Sequence, residues 1–275
     1  MISDVAFVRH GDRTLTATLR TPDGAGPFPA VVLVHGGAWT SGDRFGNDVL
    51  DEALCAAGVV VLAVDFRMPP EAGYPAAVQD VHAAIRWLKA HARELRSEPA
   101  LVGAVGSSSG GQTVLLCALR PTDPLFSAVA PEGGADGDAS LAFVVACWPI
   151  ADPPARYGMA RERGNAKLVA AHDAYFGDEA TMRAASPQRI VEQGEMTSLP
   201  PLLVVQGTAD ENVTDDMAAS FVAVYRRAGG DAELRLFDGQ PHSFIKSGDP
   251  AASTEARALI AEFISERARR VAASR

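Results

Sequence analysis

Between residues 100 and 116 a short apolar run, Ala100-Leu101-Val102-Gly103-Ala104-Val105, turns through Gly106-Ser107-Ser108-Ser109-Gly110 into the helix-like Gln112-Thr113-Val114-Leu115-Leu116. A strand that enters a helix through so tight a turn strains its middle residue, tolerates only small neighbours, and lifts the Ser108 hydroxyl above the end of the sheet. With 25 glycines in 275 residues, a chance match to G-x-S-x-G is expected about 0.1 times, and three serines in a row can also be read as a polar turn. Ser108 is thus a candidate nucleophile, and the test is whether its partners exist. It needs a base, a carboxylate to orient that base, and donors for an oxyanion.

Histidines stand at 10, 35, 82, 91, 172 and 242, and only His172 and His242 follow Ser108. His242 lies in a loop just after the alternating run Glu233-Leu234-Arg235-Leu236-Phe237, whereas His172 sits in the helical-looking stretch from Lys167 to Phe176. Reactive groups of open α/β sheets gather outside the carboxyl ends of strands, so His242 is the expected base. The acid is expected after the preceding strand, Leu202-Leu203-Val204-Val205-Gln206, in Gly207-Thr208-Ala209-Asp210-Glu211-Asn212-Val213. Asp210 is favoured over the longer Glu211. Its other reading is a helix cap, but Thr214 ahead of Asp215 and Asp216, with Met217, Phe221, Val224 and Tyr225 on one face, is the more natural N-cap. Upstream, Ala30-Val31-Val32-Leu33-Val34 ends in His35-Gly36-Gly37-Ala38-Trp39. Glycines there let backbone N–H groups approach a substrate oxygen. Gly37 and Ala38, with Ser109, are the expected oxyanion donors, and His35 is expected to hold the loop.

These segments resemble the α/β-hydrolase superfamily, and within it the hormone-sensitive-lipase-like and acetyl-esterase or BD-FAE branch of carboxylesterases. The resemblance spans most of the chain and is carried by His35 to Trp39, by Asp65-Phe66-Arg67-Met68-Pro69-Pro70-Glu71 with Tyr74-Pro75-Ala76-Ala77-Val78-Gln79-Asp80, by Gly106 to Gly111, by the Gly-x-x-Asp-x-x-Val frame around Asp210, and by His242. It implies a serine esterase without metal or organic cofactor, acting on a small-molecule ester, with Ser108 as nucleophile, Asp210 as acid and His242 as base. Two positions depart from the pattern: Ala38 stands where many members carry a third glycine, and Ser107 where lipase-like members carry an acidic residue. Two further readings stay open: an amidase, arylformamidase or small peptidase using the same triad, and a non-catalytic ligand receptor that keeps the fold.

The expected fold is α/β, an α/β-hydrolase with a mostly parallel eight-stranded sheet and helices on both faces. An antiparallel pair within Val5–Val8 and Thr14–Arg20 precedes strands near 30–35, 59–64, 100–106, 142–147, 202–206 and 233–237. A helix after Pro75 carries Val78, Val81, Ile85 and Leu88 on one face, and others follow Ser109, Thr214 and Ser253. The chain of 275 residues, 47% hydrophobic, is read as one domain. Within it 149–200 is expected as a lid or crossover insertion between strands 6 and 7. Trp148, Tyr157, Met159, Tyr175 and Phe176, with Trp39 opposite, are expected either to line the pocket or to be core residues of the crossover helix. With no cap ahead of the first strand, small to medium esters are expected. Pro121–Asp138 reads as a surface excursion.

A formal charge of −9 argues against nucleic-acid or anionic-membrane partners, and leaves a homo-oligomer open. The basic group Arg267, Arg269, Arg270 and Arg275 complements the dipole of a C-terminal helix with the stripe Leu259, Ile260, Phe263 and Ile264. Met1–His10 lacks the pattern of a signal peptide and no run approaches a membrane span. Cys55, Cys117 and Cys147 lack metal-ligand spacing and read as buried thiols of a reducing compartment. A cytoplasmic location is expected.

Overall fold

The computed structural model describes residues 1–134 and 137–273. Part of the expected 121–138 excursion, and Arg275 of the basic group, lie outside the described residues. Eight strands form one sheet: β1 (Ile2–His10), β2 (Arg13–Arg20), β3 (Phe28–Val34), β4 (Val60–Val64), β5 (Ser97–Ser107), β6 (Val144–Cys147), β7 (Leu202–Gly207) and β8 (Ala232–Phe237). Their order is β1-β2-β4-β3-β5-β6-β7-β8. The first two pair antiparallel and β2 lies antiparallel to β4, while every pairing from β4 to β8 is parallel. The carboxyl ends of β3, β5, β6, β7 and β8 therefore meet along one edge.

Parallel strands covered on both faces read as continuous apolar runs; β4, β6 and β7 are buried at every residue. Alternate side chains divide the core into two layers. Val32, Val34, Leu62 and Val64 face α2 (Ala76–His91), α3 (Ser109–Leu119) and α8 (Asp215–Arg227). Val31, Leu33, Val61 and Ala63 share their layer with α1 (Asp48–Ala56), α9 (Phe244–Ser247) and α10 (Pro250–Ala273). The stripe Val78, Val81, Ile85 and Leu88 is fully buried on α2. Thr214 occupies the N-cap position of α8 but its side chain makes no capping hydrogen bond. The acidic first turn, Asp215 and Asp216, complements the helix dipole there.

The segment between β6 and β7 folds into α4 (Pro153–Glu162), α5 (Ala166–Phe176), α6 (Glu179–Ala184) and α7 (Pro187–Glu192). Such short helices need their ends satisfied. Asp152, Asn165, Asp178 and Ser186 each accept a hydrogen bond from the backbone N–H three residues on, an N-cap bond of about 1 kcal/mol each. Among the described residues no helix is long and apolar enough to cross a membrane.

Candidate active site

Ser107 ends β5 and Ser109 opens α3, which leaves Ser108 at φ 54° and ψ −117°. A non-glycine residue there stores about 1–3 kcal/mol of strain, held by a donor and an acceptor. The Ser108 N–H donates to the Cys147 carbonyl at 2.9 Å, and the Ile150 N–H donates to the Ser108 carbonyl at 3.2 Å. The flanking glycines are required by close approach. A Cβ on Gly110 would lie 2.3 Å from the His35 carbonyl oxygen and 2.4 Å from that of Val34, and one on Gly106 would lie 2.4 Å from the Gly110 carbonyl oxygen.

His242, on the loop after β8, places Nε2 3.1 Å from Ser108 Oγ and Nδ1 2.7 Å from Asp210 Oδ2. The other contacts of Asp210 are all with donors. Gln206 Nε2 donates to Oδ2 at 3.1 Å, and the N–H groups of Asn212 and Val213 donate to Oδ1 at 2.8 and 2.9 Å. Burial alone would raise the Asp210 carboxyl, but the hydrogen bond and charge of His242 and the two backbone donors outweigh it, so its pKa lies below the usual carboxylate range. The acid and base loops are laced together. Thr208 N–H donates to the Phe237 carbonyl and Ala209 N–H to the Gln240 carbonyl, both at 3.0 Å. A Cβ on Gly207 would sit 2.2 Å from the Gln240 carbonyl oxygen.

After β3 the chain passes through left-handed conformations at Gly37 (φ 119°), Ala38 (φ 50°) and Trp39 (φ 60°). A Cβ on Gly37 would fall 1.9 Å from the Ser41 carbonyl oxygen, so only glycine fits. Ala38 occupies a left-handed conformation that glycine adopts without strain. The Gly37 carbonyl accepts from the N–H groups of Thr40 and Ser41, both at 3.1 Å. Among the described residues the N–H groups of Gly37, Ala38 and Ser109 have no acceptor. His35 stacks on Phe66 at 4.3 Å and its Nδ1 lies 2.6 Å from the Gly36 carbonyl. Burial lowers its pKa, as suits a neutral ring that holds the loop.

Ser108 and His242 open into a cavity of about 1170 Å³ whose wall includes Asn47, Trp148, Arg156 and Leu168. Trp148 meets the His242 ring edge-on at 6.0 Å. The other aromatics expected in the pocket do not line it. Trp39, Tyr175 and Phe176 are 1%, 2% and 4% exposed. Trp39 stacks on Tyr175 at 5.1 Å, meets Phe176 edge-on at 4.9 Å, and donates from Nε1 to Gln112 at 3.0 Å. They form a core wedge between the end of α5 and the loop after β3. Tyr157 points its hydroxyl at Asp173, 2.8 Å away, and Met159 is likewise absent from the wall.

A family profile, BD-FAE, matches residues 19–224. The chain belongs to the BD-FAE family. This BD-FAE protein is 32% identical over 230 residues to esterase LipC of Mycobacterium tuberculosis, an alignment covering 79% of this chain and 53% of LipC. It is 26% identical over 227 residues to carboxylesterase NlhH of the same organism, covering 79% of this chain and 67% of NlhH. The chain thus spans about half to two thirds of these relatives' length. A solved structure of esterase Est2 from Thermogutta terrifontis, with propionate bound, superposes with a TM-score of 0.76 at 26% identity, over 96% of this chain and 94% of that one.

Four residues of the BD-FAE site escaped the sequence reading: Asn47, Gln206, Asn212 and Arg156. Gln206 carried a signal, since a polar residue closing the apolar run Leu202–Val205 needs buried partners. It finds them in Asp210 and in the Gly207 and Val213 carbonyls. Arg156 carried none, because an arginine in a short polar helix reads as exposed.

Proposed function

We propose that the protein is a serine carboxylesterase that hydrolyses small to medium carboxylic esters. The observation that carries this reading is His242 bridging Ser108 Oγ and Asp210 Oδ2 at 3.1 and 2.7 Å. His242 Nε2 takes the hydroxyl proton as Ser108 Oγ attacks the ester carbonyl carbon. The carbonyl π pair moves to oxygen, where the N–H groups of Gly37, Ala38 and Ser109 receive the negative charge. The tetrahedral species collapses, the C–O bond to the alcohol breaks, and His242 returns the proton to the leaving oxygen. Water, deprotonated by His242, then attacks the acyl-enzyme and releases the acid with Ser108 restored. Asp210 keeps the Nδ1 proton in place and stabilises the imidazolium.

Short acyl groups are favoured by the likeness to Thermogutta terrifontis Est2, whose structures hold propionate and butyrate. Residues 149–200 act in this reading as the roof of the site, since Arg156, Arg163, Asn165, Leu168 and Ala171 all face the cavity. Three free cysteines, two of them buried, suit a reducing cytoplasm. The deciding experiment is turnover of p-nitrophenyl acetate and butyrate by wild type and Ser108→Ala, with labelling by a fluorophosphonate. Wild type should turn over and label at Ser108, and the variant should do neither while unfolding at the same temperature. Turnover retained in Ser108→Ala would overturn the nucleophile, and absence of both turnover and labelling in wild type would overturn the enzyme.

A further inference from the structure

The loop that carries Asp210 is itself held from the crossover segment. Arg156, on α4, is 1% exposed. Its Nε donates to the Asn212 carbonyl at 3.3 Å and to Asn212 Oδ1 at 3.2 Å, and Nη2 donates to the same Oδ1. Asn212 passes the contact on, its N–H donating to Asp210 Oδ1 at 2.8 Å. At the C-cap of α4, Arg163 Nη1 donates to the Glu211 carbonyl at 2.8 Å. Two successive carbonyls of the acid loop are each held by an arginine.

Holding a carbonyl does not need a charge, and Arg156 has no carboxylate of its own. It forms no ion pair among the described residues, and its enclosed Nη1 has no hydrogen-bond partner there. A buried cation in that state is destabilising by several kcal/mol, so a neutral side chain of similar length would be the better choice for packing alone. Burial draws the guanidinium pKa down to about 10, with the Asp210 charge acting in the opposite direction, which leaves it charged at neutral pH. The charged and titratable groups around the couple are Arg156 and Arg163 from α4 and its cap, Lys167 and His172 from α5, Glu211 on the acid loop, His35 after β3, Asp48 from α1 and Lys246 after His242.

We infer that Arg156 is a positioning residue for the Asp210–His242 couple, orienting the acid through Asn212 and supplying a fixed positive charge that favours its ionised form. The inference rests on the serine-hydrolase reading and deepens it. Without the charge, the couple takes up a proton more readily and the base is lost at a higher pH. Without the fork, the acid loop is free to shift and the rate falls at every pH.

The test compares wild type, Arg156→Gln and Arg156→Lys in the full chain, by the rate at which a fluorophosphonate labels Ser108 and by kcat/KM for p-nitrophenyl butyrate, from about pH 5 to 9. Arg156→Gln should react roughly tenfold more slowly at its optimum. Its acid limb should move up by about half a pH unit, the size expected for removing one partly screened charge. Arg156→Lys keeps the charge and loses the fork, so its acid limb should coincide with wild type while its rate stays low. An acid limb of Arg156→Gln that coincides with wild type, or one of Arg156→Lys that moves as far as that of Arg156→Gln, overturns the inference. If Arg156→Gln does not fold, Arg156→Lys decides: a lower rate with the limb in place supports the inference, and a displaced limb overturns it. Wild type that does not label at all defeats the serine-hydrolase reading and the inference with it. Wild type that labels, with limbs unmoved, defeats the inference alone.

Discussion

Replacing Asp210 by Asn changes one atom, and the surrounding donors determine how the amide must lie. If its NH₂ took the place of Oδ1 it would face the N–H groups of Asn212 and Val213, now 2.8 and 2.9 Å from that oxygen. Both belong to the backbone and cannot turn away. In the place of Oδ2 it faces Gln206 Nε2 at 3.1 Å and His242 Nδ1 at 2.7 Å. Gln206 cannot turn its amide over without giving up the Gly207 and Val213 carbonyls, but the imidazole can move its proton. The variant therefore settles with NH₂ toward His242, Nδ1 as acceptor and the ring proton on Nε2, facing Ser108. A base that already carries a proton there cannot take another from the serine. The expected loss in kcat is about 10³–10⁴, equivalent to roughly 4–5.5 kcal/mol of barrier. The strained pairing with Gln206 should lower stability by about 1–3 kcal/mol. Steady-state turnover of p-nitrophenyl butyrate, with thermal unfolding of the same samples, measures both. A folded Asp210→Asn enzyme within tenfold of the wild-type kcat would refute the tautomer argument.

Gly110→Ala drives a methyl group into the carbonyls of Val34 and His35, and should lower stability by about 2 kcal/mol or more; an unchanged unfolding temperature would contradict the packing of the elbow against β3. Trp39→Phe removes the hydrogen bond to Gln112 and part of the stack on Tyr175. It should destabilise by about 1–3 kcal/mol and leave the ratio of kcat/KM for acetate and butyrate esters unchanged, whereas an altered ratio at full stability would mark Trp39 as a wall residue. His82 and His172, 1% and 0% exposed, are each lowered to about 4, chiefly by burial. Since the unfolded chain protonates first, near 6.5, stability is complete above that pH and falls between 6.5 and 4 by up to about 1.4 kcal/mol per pH unit for each ring. Urea midpoints across that window should fall less steeply in His82→Gln than in wild type, and equal slopes would exclude His82 as a source.

The strands were legible because a sheet covered on both faces writes itself as short apolar runs: β4 begins at Val60 and β7 at Leu202, against expected starts at 59 and 202. The turn at Ser108 was legible because close approach demands glycine at fixed offsets, and the loop at Gly37 because its conformation does. The distances among Ser108, His242 and Asp210 were not in any local pattern; the order of the strand ends supplied them. The aromatic wall was misplaced since Trp39, Tyr175 and Phe176 are large apolar residues close to the site in sequence order, and residue type alone does not separate a side chain facing a cavity from one facing a core. Helix α1 went unread although Asn47 stands at its N-cap position with Asp48 and Asp51 in the first turn, because its nine residues follow a polar, glycine-containing loop and show only a short apolar stripe. Arg156 went unread because only the tertiary fold buries it.

The elbow lies on β5, in the interior of the sheet, while His242 follows β8, which among the described residues is an edge strand paired with β7 alone and leaves Leu236 half exposed. Edge elements open locally at lower free energy than central ones. Heat should thus disconnect the imidazole while the nucleophile's scaffold still stands, making early inactivation a peripheral and recoverable event, distinct from collapse of the interior. Engineering for endurance belongs at the rim, where a better-shielded β8 would lengthen working life more than any refinement of the already dense centre.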